Sequence, residues 1–103
     1  MFYVVLTTTK DSAEAERIAK RLVDERLAAC VNVLPNMSST YRWKGKVEHA
    51  SEALLFMKTS HDRLDRLIAR VKELHSYEVP EILALPIERG SQEYLKWLEE
   101  SLR

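Results

Sequence analysis

Two amphipathic helical stripes, each set between extended apolar runs, constrain this chain more than any other feature. The first follows Asp11 and Ser12, either of which offers an N-cap, and carries Ala15, Ile18, Ala19, Leu22 and Val23 at helical spacing. Glu14 stands three residues after Asp11, as in a capping box. The second follows Ser60, a further N-cap candidate, and presents Leu64, Leu67, Ile68, Val71 and Leu74 on one face. Each stripe needs an apolar surface to lie on, and a sheet built from the intervening runs supplies it.

Phe2 to Thr7 is apolar on both alternating faces, which predicts a central strand. Ala28 to Leu34 predicts a second strand, interrupted by a bend or bulge at Pro35 and Asn36. From Ser39 to Trp43 the alternation resumes, with Tyr41 and Trp43 on one face, and Lys44-Gly45 supplies a hairpin turn. The return strand is polar and expected to be exposed from Lys46 to Glu52, then apolar from Ala53 to Met57. Val79 to Ile87 reads as extended, and Pro80 and Pro86 imply either an edge position or irregular ends, because proline cannot donate to a ladder. Gly90-Ser91 opens a last helix with Tyr94, Leu95, Leu98 and Leu102 on its apolar face and Trp97 beside it.

Strand, helix, strand, strand, helix, strand and a closing helix predict an α+β fold of the ferredoxin-like, split βαβ type (βαββαβ plus a C-terminal helix), in a single domain over residues 1–103. Right-handed crossovers put both principal helices on one sheet face. Val4, Val5, Leu6, Leu54, Leu55, Phe56 and Met57 leave both faces of the central strands apolar, and further copies of the same chain are the expected cover of the face opposite the helices.

Composition narrows the function classes. Sixteen Lys and Arg balance sixteen Asp and Glu, so no net charge favours nucleic acid or an anionic membrane. Only two glycines are present, Gly45 and Gly90, and their separation excludes dinucleotide-binding and P-loop motifs. Apolar runs such as Ala53 to Met57 are far shorter than the roughly 20 residues of a spanning helix. The single cysteine, Cys30, and an opening Met1 to Leu6 without the basic segment of a signal peptide set the expectation of a soluble cytoplasmic protein.

No serine or cysteine has a histidine in a recognisable catalytic arrangement, so no enzyme is expected. Of His49, His61 and His75, the last is the most informative, because it ends the second helix within Leu74-His75-Ser76-Tyr77-Glu78-Val79-Pro80-Glu81. It either meets helical carbonyls there or ligates a metal with donors from another segment or subunit. Cys30 reads as a small core residue whose softness would suit copper. Tyr41, Trp43 and Trp97 read as core or interface anchors, and Arg42, Lys44 and Lys46 as either a solvated turn or an anion-binding tip.

Five segments together resemble the CutA divalent-cation tolerance family. They are Glu25 to Val33, Tyr41 to Lys46, Lys58-Thr59, Leu74 to Ile82 and Tyr94 to Leu98. The resemblance implies a homotrimer, similar in architecture to the nitrogen-regulatory PII proteins, and a cytoplasmic role in tolerance of copper or another divalent cation, with no known enzyme activity. In copper-binding members the implicated ligands match Thr7, Leu74 and His75 of this chain, so His75 alone keeps strong ligand chemistry. The resemblance also implies an inter-subunit cleft gathering Tyr41, Trp43, Lys58, Thr59, Tyr77, Glu81 and Trp97 with His75. Such mixed chemistry suits a small anionic ligand or a metal complex. The competing classes are a PII-like signalling trimer and an acylphosphatase-type enzyme, and Thr7-Thr8-Thr9-Lys10 lacks the glycine-rich anion loop of the latter.

Overall fold

The computed structural model describes all residues, 1–103. Four strands and three helices follow in the order β1 (Phe2–Thr9), α1 (Ser12–Asp24), β2 (Cys30–Trp43), β3 (Lys46–Ser60), α2 (His61–Leu74), β4 (Ile82–Ile87) and α3 (Gln92–Ser101). The sheet runs β2-β3-β1-β4 with every neighbouring pair antiparallel, the predicted split βαβ arrangement.

The register explains which residues meet the helices. Val5 lies between Met57 and Ala84, and Val31 pairs with Met57 while Val33 pairs with Leu55. With Ala53 they form one face, onto which Ala15, Ile18 and Leu22 of α1 and Leu67 and Val71 of α2 are buried. At about 25 cal/mol per Å² of apolar surface, each fully buried leucine or isoleucine contributes roughly 1.5–3 kcal/mol. A paired guanidinium and carboxylate tie the two helices outside this core, with Arg70 Nε and Nη2 donating to Glu25 at 2.9 and 3.0 Å.

The sheet continues well past β1. Pairing of β1 with β3 stops at Thr9 opposite Ala53, whereas β2 and β3 stay paired to Trp43 opposite Lys46. The result is a two-stranded arm, which stretches the molecule to 44 Å against 25 and 22 Å in the other directions. At its base the register shifts between Leu34 and Met37, with Asn36 at φ 57°, so the interruption at Pro35-Asn36 is a bulge. At its tip Lys44 and Gly45 both take positive φ, 50° and 81°, as a two-residue primed turn requires.

Three expectations need correction. Ser60 occupies the N-cap position of α2 but makes no capping hydrogen bond, and its buried hydroxyl has no partner. The first helical N–H, that of His61, donates to the Met1 carbonyl at 2.9 Å, because β1 begins alongside. Secondly, α3 covers part of the second sheet face, so the face is not left wholly to other copies. Leu98 and Leu102 are fully buried there yet lie outside the main core, and Tyr94 approaches Cys30 on that side. Leu83 and Leu85, on the same face of β4, stay about half exposed. Thirdly, the polar half of β3 is not uniformly in water, since Glu52 is only 9% exposed.

Candidate functional site

The C-terminal end of α2 meets the end of β1 through a network of polar side chains. His75, the C-cap of α2, has a fully buried ring. Its Nδ1 accepts from the Tyr77 N–H at 3.1 Å, so the ring proton sits on Nε2, which donates to the Thr8 carbonyl at 2.8 Å. His75 therefore caps a strand carbonyl rather than its own helix. Both ring nitrogens are engaged, and ligation of a metal would require Nε2 to give up its proton and the Thr8 carbonyl.

Glu14 lies beneath this ring, its Oε2 4.0 Å from His75 Nδ1. The Ser76 N–H donates to Oε2 at 2.7 Å, the Ser76 hydroxyl to Oε1 at 3.0 Å and the Lys10 N–H to Oε1 at 3.4 Å. Burial alone would raise the Glu14 pKa, but these donors bring it below the ordinary value of 4.5. The capping box forms only in part: Asp11 Oδ1 accepts from the Glu14 N–H at 2.8 Å, while the Glu14 carboxylate turns away to Ser76.

Tyr77 extends the network around the end of the sheet. Its ring lies 5.0 Å from that of His75, and its hydroxyl donates to Glu52 Oε2 at 2.6 Å. Burial first, and the Glu52 hydrogen bond second, push the Tyr77 pKa well above 10.0, with Tyr41 close enough to add to the shift. The cleft beside Glu52 has a volume of about 430 Å³ and reaches the first turn of α1.

Within one chain the expected cleft residues fall into separate groups. Tyr77 belongs to the network just described, with Tyr41 nearby, while Trp43 is exposed at the end of the arm. Lys58 points to the second sheet face, where its ammonium donates to Asn32 Oδ1 and lies 3.9 Å from Cys30 Sγ. Thr59 points the opposite way, fully buried, and donates to the Leu27 carbonyl at 2.7 Å. Adjacent strand residues alternate sides, so within one chain these two face opposite ways. Glu81 is exposed just before β4, and Trp97 on α3 stacks at 5.5 Å on Tyr94. Cys30 is half-buried rather than a core residue. His49 shares a 3.1 Å hydrogen bond with Thr40 on the arm, and His61 is exposed at the start of α2.

The donor set does not fit a resident metal ion held by one chain. No three of its His, Cys, Asp and Glu side chains converge on a common point. The residues missed by sequence reasoning as parts of this network are Glu14 and Glu52. Glu14 had a signal, since it falls one turn before Ile18 on the buried stripe of α1. Glu52 had none, because it continues a polar run.

A ferredoxin-like subunit with a long two-stranded arm, a half-covered apolar sheet face and a buried polar network at one sheet end defines a small α+β binding or assembly module. Residues 3–101 match the family model described as CutA1 divalent ion tolerance protein, and the chain belongs to that family. A divalent-cation tolerance protein CutA from Thermus thermophilus is 53% identical over 98 residues, 95% of each chain. A chloroplastic CutA 1 from Oryza sativa is 45% identical over 97% of this chain and 56% of its own length. The solved structure of a periplasmic divalent cation tolerance protein CutA from Archaeoglobus fulgidus superposes with a TM-score of 0.96 at 43% identity, covering 100% of both chains.

Proposed function

We propose that this chain works as a cytoplasmic homotrimer without catalytic activity and takes part in metal tolerance, with copper as the metal. The observation that carries the assembly is the apolar surface one chain leaves in water. Leu83 and Leu85 on the second sheet face, and Tyr41 and Trp43 on the arm, are each 44–52% exposed. A closed ring of copies buries the same patch on every subunit and leaves fewer strand edges open. Copper suits the soft and borderline donors available, the half-exposed Cys30 thiol and the exposed imidazoles of His49 and His61. Donors from separate copies would have to converge, because a single chain does not gather them. The unpaired Cys30 accords with a reducing compartment.

Calorimetric titration with copper and with zinc tests the metal assignment. Copper is expected to bind the assembled protein with an affinity that His75→Ala leaves unchanged, since the His75 ring is committed to Thr8 and Tyr77. Loss of binding in that variant, with the assembly intact, would make His75 a ligand and overturn this version. Absence of any binding at micromolar metal would remove direct copper binding altogether.

A second reading is a PII-like signalling trimer holding a small anionic metabolite in clefts between subunits, with the open cleft of about 430 Å³ lined by Lys10 and the first turn of α1 as one wall. A ligand at a hundred times its Kd stabilises the folded state by about 2.7 kcal/mol. Thermal unfolding with inorganic phosphate and with small carboxylates reads that shift, and a flat response to all of them counts against an anion site.

A further inference from the structure

The second sheet face carries a single charge. Across the four strands the register sets Cys30, Lys58, Val4 and Leu85 in one row and Asn32, Phe56, Leu6 and Leu83 in the next. Lys58 is the only charged residue that the four-stranded sheet places on that face. Its ammonium donates to Asn32 Oδ1 and lies 3.9 Å from Cys30 Sγ, and it forms no ion pair with a carboxylate of its own chain. A partner that covers this face takes the ammonium out of water, which is costly unless a carboxylate meets it there.

The arm carries the complement. Alternation along β3 sets Lys46, Glu48, Ala50 and Glu52 on the same side as Lys58, and the register puts Trp43 opposite Lys46 and Tyr41 opposite Glu48. One side of the arm therefore joins both of its exposed aromatic rings to a carboxylate. The other side is polar but for Val47, and Thr40 and His49 are bonded to each other on it. Glu52 is buried and takes the Tyr77 hydroxyl, whereas Glu48 is exposed and forms no ion pair. Lys46 shares the aromatic side but stands at the tip, further out than Glu48. Glu48 and Lys58 cannot meet within one chain, because the continuous strand between them holds them about 33 Å apart.

We propose that the arm of one copy lies across the second sheet face of the next, head to tail. Tyr41 and Trp43 of the partner subunit rest against Leu83 and Leu85, and Glu48 of the partner subunit pairs with the Lys58 ammonium. Charge complementarity decides the occupant: the face offers one unpaired cation among apolar side chains, and the arm offers an unpaired anion beside aromatic ones. The proposal rests on the assembly reading above and gives it a contact and a direction. A head-to-tail contact of this kind repeats around a closed ring of copies.

Charge exchange tests it, read as the guanidinium concentration at which sedimentation shows the assembly to dissociate. Lys58→Glu and Glu48→Lys are each expected to lower that midpoint. The doubly exchanged chain is expected to recover half or more of the loss, because the pair re-forms with its charges swapped. Recovery of less than half, or single variants that leave the midpoint unchanged, would overturn the contact. Should Lys58→Glu fail to fold, a neutral cycle with Lys58→Gln and Glu48→Gln decides instead: the double variant is expected to lose less than the two single losses added together, and additive losses would overturn the contact. An unmutated protein that sediments as a trimer while the exchange fails removes the contact alone, whereas an unmutated monomer removes the assembly reading with it.

Discussion

Glu14 shows how one side chain ties distant parts of the chain together. It sits on the buried stripe of α1, and its carboxylate holds both the N–H and the hydroxyl of Ser76 after α2. Its pKa in the folded state is depressed below 4.5, so it stabilises the fold fully above about pH 4.5 and loses that contribution as pH falls through the depressed value. Glu14→Gln is therefore expected to lower stability at pH 7 by about 1–3 kcal/mol and to flatten the acid limb of the stability profile. Urea unfolding between pH 7 and pH 3 measures both, and an unchanged acid limb would contradict the assignment. A local pattern could place Glu14 on the buried stripe but not name its partner, which lies 62 residues away. The same holds for Glu52, whose burial depends on Tyr77 arriving from 25 residues further along.

At the scale of elements, the arm was the most legible part of the sequence. Lys44-Gly45 and Pro35-Asn36 announce its turn and its bulge through residue types that only a few backbone conformations accommodate. Lys44 nonetheless takes φ 50°, where a lysine is strained and an asparagine is not. Lys44→Asn is expected to stabilise the hairpin by up to about 1 kcal/mol, read as a rise in Tm by scanning calorimetry. A fall in Tm would show that the turn is held by something other than its own backbone preference. Trp43→Ala tests the arm as an interface element: it is expected to lower Tm and to shift mass toward monomer or aggregate. His49→Ala, on the same arm with only an exposed Thr40 partner, is expected to do neither. Equal effects of the two substitutions would remove Trp43 as an anchor. The position of α3 was not legible, because an apolar stripe states that a helix is buried and not on which sheet face. Ser60 misled for a related reason: its residue type suits an N-cap, but its buried hydroxyl takes no helix N–H and has no partner.

For the whole molecule, the fold follows from alternation and order, whereas the site depends on what the second sheet face and the arm meet. One chain places Lys58, Cys30 and Asn32 on the second sheet face with Tyr94 and Trp97 beside them, and Tyr77 with Glu52 in a different group. Assembly around a threefold axis is what would bring such groups from different copies to a shared cleft, and it would cover Leu83 and Leu85 as well. Sedimentation equilibrium of the unmutated protein at micromolar concentration tests this most directly. The account predicts a single species of three times the 12.0 kDa chain mass, unchanged on dilution across that range. A stable 12.0 kDa monomer would contradict it.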